Sequence, residues 1–105
     1  MSDPARRVRI YLGQQDRVGG THLPVWEEVI RFLDDNGATG ASVFRGIAGF
    51  GTHRRIHTAR IADVLPDLPV VVEWIDGAET VARLLPKVRE LVRQGTITIE
   101  EVEIL

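Results

Sequence analysis

Three glycines, three arginines and two histidines fall within the fourteen residues Arg45–Thr58, RGIAGFGTHRRIHT. Arginine presents a planar fork of donors that matches phosphate and carboxylate. Glycine lets a backbone turn tightly and approach a ligand closely. Arg45, Arg54 and Arg55, with His53 and His57 among them, are therefore candidates for an anion, and Gly46, Gly49 and Gly51 for the backbone that receives it. No acidic residue occurs between Asp35 and Asp63, so positive charge gathers here in a chain of net charge -2. The pattern predicts a loop that receives a small anion or touches a partner, since loops carry function more often than packing. The plain alternative is a solvated connection that is arginine-rich only by composition.

His53 and His57 are spaced as half a metal site would be on a helix. The glycines before them argue against a helix, and no third ligand stands out beyond His22, an Asp or a Glu. A histidine base needs an orienting carboxylate, and none lies nearby in sequence. The spacing of Gly46, Gly49 and Gly51 is not that of a dinucleotide fingerprint, and no phosphate-loop lysine motif occurs. The expectation is no catalytic residue, no metal and no enzyme; the alternative is a small enzyme using His53 and His57.

The elements that must hold this stretch are legible from periodicity. With 105 residues, 44% apolar and 27% charged, the chain has the composition of one soluble globular domain spanning residues 1–105. There is no cysteine, which excludes disulfides and thiolate chemistry and fits a reducing cytoplasm. No signal peptide or membrane-length apolar run is evident. The whole-chain charge does not call for nucleic acid.

Val8, Ile10 and Leu12 alternate with Arg7, Arg9 and Tyr11, which predicts a strand with one buried face. Trp26, Val29, Ile30 and Leu33 form an apolar stripe at helical spacing. Thr21 is a candidate cap for that helix, and Gly37 a left-handed stop. Residues 38–48 read as a second strand that the glycines could bend. The run from Pro69 to Ile75 is β-rich and makes a third strand. Asp76 and Glu79 have the spacing of a capping box. Val81, Leu84, Leu85, Val88, Leu91 and Val92 give the second helix its face, with Pro86 predicting a kink and Gly95 a stop. A last strand follows from Thr96, with a bulge expected at Glu100–Glu101.

The order βαββαβ predicts an α+β, ferredoxin-like fold: an antiparallel four-stranded sheet with two helices on one face. Right-handed crossovers put both helices on the same side. The other face, carrying Arg7, Arg9, Tyr11 and Glu73, is left bare, and oligomerisation is a common way to cover such a face.

Gly49-Phe50-Gly51, followed by basic residues and then His57-Thr58, resembles the segment that opens the T-loop of PII-type nitrogen-signalling proteins. Arg9-Ile10-Tyr11, Arg45-Gly46-Ile47 and Leu68-Pro69-Val70 are more similar still to an uncharacterised family of PII-like proteins. The resemblance covers nearly the whole chain. It implies a cytoplasmic homotrimer with ligand clefts between subunits and an adenine nucleotide as the anionic ligand. It also implies a loop that signals to a membrane channel, a transporter or an enzyme. Phe50 joins the candidate site on this ground. The chain departs from true PII proteins in two places. The turn after the second helix, Arg93-Gln94-Gly95-Thr96, has one glycine and no lysine, and the basic C-terminal loop has no counterpart.

The same element order also belongs to RNA-recognition domains, and RGIAGFG echoes one of their motifs. That motif lies on the third strand with its aromatics facing out, whereas here it closes the second. Trp74, on the third strand, falls in register with the core valines, which leaves nucleic-acid binding as an alternative resting on Tyr11 and Trp74.

Overall fold

The computed structural model describes residues 4–51, 56–58 and 67–105. Its elements are β1 (Ala5–Gly13), α1 (Val25–Asp35), β2 (Ala41–Arg45), β3 (Ala48–Gly49), β4 (His57–Thr58), β5 (Pro69–Gly77), α2 (Ala78–Leu91) and β6 (Thr96–Val102). The main sheet has the order β2-β5-β1-β6, with every neighbouring pair antiparallel. This is the ferredoxin-like arrangement. Each βαβ unit straddles one central strand of the other unit.

Alternation decides the faces. Val8, Ile10 and Leu12 of β1 pair with Trp74, Val72 and Val70 of β5, and all are buried. Against them pack Val25, Val29 and Leu33 of α1 and Val81, Leu84 and Val88 of α2, with Val92 just beyond. Burying each such side chain contributes about 1.5–3 kcal/mol. Trp26 and Ile30, placed on the apolar stripe by spacing, are only partly buried at its margin. Ile97 of β6 packs on the core, while Ile99 stays half exposed because β6 is an edge strand.

Several local expectations give way to tertiary geometry. Pro24 occupies the cap position of α1 with no side-chain cap. The Thr21 hydroxyl instead closes the preceding turn, donating to the Val18 carbonyl at 2.8 Å and accepting from the Leu23 amide at 3.1 Å. Gly37 does take the left-handed conformation, φ 85°, and lets the Ala38 amide reach back to the Leu33 carbonyl. The stretch expected as one strand over 38–48 divides into β2 and the separate β3. Pro86, where a kink is expected, lies inside α2, which runs from Ala78 to Leu91. The helix stops before Gly95. That residue is needed for space: a Cβ there would lie 2.6 Å from Val92 Cγ1 and 2.8 Å from the Tyr11 carbonyl oxygen. No bulge interrupts β6, whose register with β1 runs unbroken from Thr96 to Val102.

Asp76 is not a helix cap. The N-cap of α2 is Gly77, without a side-chain bond. Asp76, 5% exposed, turns inward and accepts three hydrogen bonds, from the Thr39 amide at 2.9 Å, the Thr39 hydroxyl at 2.5 Å and Trp74 Nε1 at 2.6 Å. It ties the α1–β2 connection to the end of β5. Burial opposes ionisation, yet the bonds from Thr39, Trp74 and the Gly77 backbone outweigh it and hold the carboxyl below its ordinary value.

Candidate ligand and partner loop

Arg45 ends β2 opposite Val70, at the edge of the sheet. Its side chain is exposed and has no ion-pair or hydrogen-bond partner among the described residues. The chain then leaves the sheet. Gly46 donates its amide to the Pro69 carbonyl at 2.7 Å, and β3 pairs with β4 in a small ladder of its own, Ala48 opposite Thr58 and Gly49 opposite His57. The two roots of the intervening loop are thus held together, outside the four-stranded sheet.

Gly46 and Gly49 meet the protein's own chain. A Cβ on Gly46 would lie 2.7 Å from Pro69 Cγ, and one on Gly49 would lie 2.8 Å from the same atom. Both glycines make room for one proline ring. Gly51 differs: among the described residues nothing lies within 4 Å of the place its Cβ would take. Phe50 is 70% exposed, flanked by Ile47 at 81% and Ile56 at 71%. The described base of the loop therefore combines a free guanidinium with exposed apolar side chains, a pairing suited to recognition.

His53, Arg54 and Arg55 lie outside the described residues. His57 is placed by its backbone in β4. Among the described residues no three His, Asp or Glu side chains converge as a metal site would require, and no helix is long and apolar enough to cross a membrane. Trp74 is 1% exposed and offers no face for base stacking.

The bare sheet face carries a charge network. Arg9 Nε lies 3.0 Å from Glu73, and Glu100 lies 2.8 Å from Arg7 Nη2 and 3.3 Å from Arg9 Nη1. The hydrogen bond from Arg7, then its charge, holds the Glu100 carboxyl below its ordinary value despite some burial, with Arg9 adding to the effect. Around these compensated charges Tyr11, Phe44 and Ile75 expose apolar surface. Sequence reasoning placed Arg7, Arg9 and Glu73 on this face but missed Glu100, because the expected bulge broke the register. It also missed Pro69, whose only signal was a proline opening a strand downstream of a G-x-x-G pattern.

Residues 5–104 match the model of the DUF190 family, described as Uncharacterized ACR. A UPF0166 protein from Aquifex aeolicus is 33% identical over 98 residues, covering 93% of this chain and 90% of that protein. A second UPF0166 protein, from Methanocaldococcus jannaschii, is 30% identical over 95 residues, 90% of this chain and 85% of that protein. Among solved structures, the nitrogen regulatory PII-like protein CPII from Thiomonas intermedia, bound to ADP, AMP and bicarbonate, superposes with a TM-score of 0.70 at 16% identity, covering 96% of this chain and 88% of that one.

Proposed function

This chain belongs to the DUF190 family, and from that premise and its PII-like fold we propose that it is a regulatory protein without catalytic activity. It binds a small anion, an adenine nucleotide before others, and signals through the loop spanning residues 45–58 to a membrane channel, a transporter or an enzyme. The observation that carries this reading is the separate β3–β4 ladder, which holds the two roots of the loop together outside the four-stranded sheet, close to an Arg45 that has no partner among the described residues. The ligands seen on CPII are anions of the class that arginine recognises.

The working unit is a homotrimer in the cytoplasm, with ligand clefts between subunits. Support comes from the bare face, where ion pairs already compensate the charges and apolar side chains surround them, so a second copy can cover it without stranding a charge. Light scattering at micromolar concentration should give three times the chain mass; a monomer would remove the inter-subunit clefts.

Calorimetric titration with ADP, AMP and bicarbonate tests the ligand reading. Replacing Arg54 and Arg55 together with alanine should weaken ADP binding at least about tenfold, because hydrogen bonds to charged groups contribute about 1.5–3 kcal/mol each. The remaining binding should depend less steeply on salt. Thermal stability should change by no more than about 0.5 kcal/mol, as for surface substitutions generally. Binding of all three ligands unchanged by the double substitution would remove the loop as the functional centre.

A further inference from the structure

We infer that Pro69 is a positioning residue for the loop: its ring is the fixed point about which the chain from Gly46 to Gly49 bends, and so it sets the direction in which the loop leaves the sheet. The inference rests on the loop reading above and adds to it the element that aims the loop.

Pro69 is itself held firmly. It opens β5, a central strand, and faces Gly13 in the register with β1. A proline is tolerated at the first position of such a strand. The Gln14 amide donates to the Leu68 carbonyl at 2.8 Å, and the Gln15 amide to Asp67 Oδ1 at 2.8 Å. The ring is rigid and cannot yield as a flexible side chain would. Gly46 and Gly49 both lie against its Cγ, at Cβ distances no real Cβ would keep. Neither has positive φ, a property that among the described glycines belongs to Gly20 and Gly37. The missing Cβ atoms, not unusual backbone angles, are what these two positions require. With the Gly46 amide bonded to the Pro69 carbonyl, the bend is gripped by one hydrogen bond and two close packings on a single residue. Gly49 is also the β3 partner of His57, so the grip passes to both roots of the loop.

The test is a double-substitution cycle read by amide hydrogen exchange, which needs no ligand, and then by ADP titration. Pro69→Ala should raise exchange at the Gly46 amide about tenfold or more through local opening. The amides of Ile10 and Val72 in the central strands should keep their rates, which a general loss of stability would not allow. Gly49→Ala should also raise Gly46 exchange, since the new methyl strikes the ring. In the Pro69→Ala background the same change should add less than about twofold, the mark of direct coupling. Gly51→Ala, where no described residue lies within 4 Å of the new methyl, serves as the exchange control and should leave Gly46 unchanged. ADP affinity should fall about threefold or more in each single variant and no further in the double. Additive effects of Gly49→Ala and Pro69→Ala on exchange, or equal acceleration at Val72, would overturn the inference. Coupled exchange with ADP affinity untouched would instead remove the loop reading and leave the role of Pro69 in aiming the loop standing.

Discussion

Replacing Asp76 with alanine is expected to destabilise the protein by about 3–5 kcal/mol, because it removes three hydrogen bonds to a carboxylate, each contributing about 1.5–3 kcal/mol, and strands the buried Trp74 indole. Thr39 donates two of these bonds and Trp74 the third. Asp76→Asn should cost less, about 1–2 kcal/mol. The amide oxygen can still accept from the Thr39 amide and Trp74, and the Thr39 hydroxyl can reverse and accept from the amide nitrogen. Urea unfolding followed by tryptophan fluorescence, at one fixed protomer concentration, would measure both. The two variants also differ from the parent in pH dependence. The folded carboxyl lies below its ordinary value of 3.8. Its contribution is therefore fully present above the unfolded value, near pH 4, and is lost as the pH falls through the lower folded value. The parent should lose stability on that acid limb more steeply than Asp76→Asn, which has no carboxyl to protonate there. Equal acid limbs, or an alanine variant as stable as the parent, would show that the three bonds do not hold the α1–β2 connection.

Leu84→Ala should cost about 2–5 kcal/mol, the range for truncating a large apolar side chain in a packed core. Leu84 lies near the middle of α2, on the face turned to the sheet, and is buried among Val72, Trp74 and the α1 residues of the same cluster. The cavity lies between a helix and a sheet that are both held elsewhere, so collapse can relieve little of it. Denaturant unfolding would give the value from the shift in midpoint at unchanged slope. A loss below about 0.5 kcal/mol, the level of a surface substitution, would place α2 wrongly on the sheet.

The sequence by itself determined the order of the main-sheet strands and the helices, most of their buried faces and the fold, but not the β3–β4 ladder. What it determined is written in local periodicity. Val8, Ile10 and Leu12 could share only one side of a strand, and the stripe through Val81, Leu84 and Val88 only one side of a helix. The right-handed crossovers then left a single arrangement of the sheet. The exposed arginine at the root of the loop was also legible, since nothing acidic lies near it in sequence to neutralise it.

Only the tertiary structure decided what depends on residues distant in the chain. Asp76 had the spacing of a cap, but the Thr39 amide and hydroxyl and the Trp74 indole compete for the same carboxylate. The Trp74 indole is buried and has no water to turn to, and the charge on the carboxylate strengthens all three bonds. Gly95 had the look of a helix stop, but its place is set by Leu12 and Tyr11, more than eighty residues earlier. The glycines of the loop had the look of a ligand cradle. Two of them are shaped by Pro69, twenty residues or more downstream, and Gly51 alone of the three meets none of the described residues. Local pattern records a residue's own preference; which neighbour claims it is settled only when the sheet brings distant segments together.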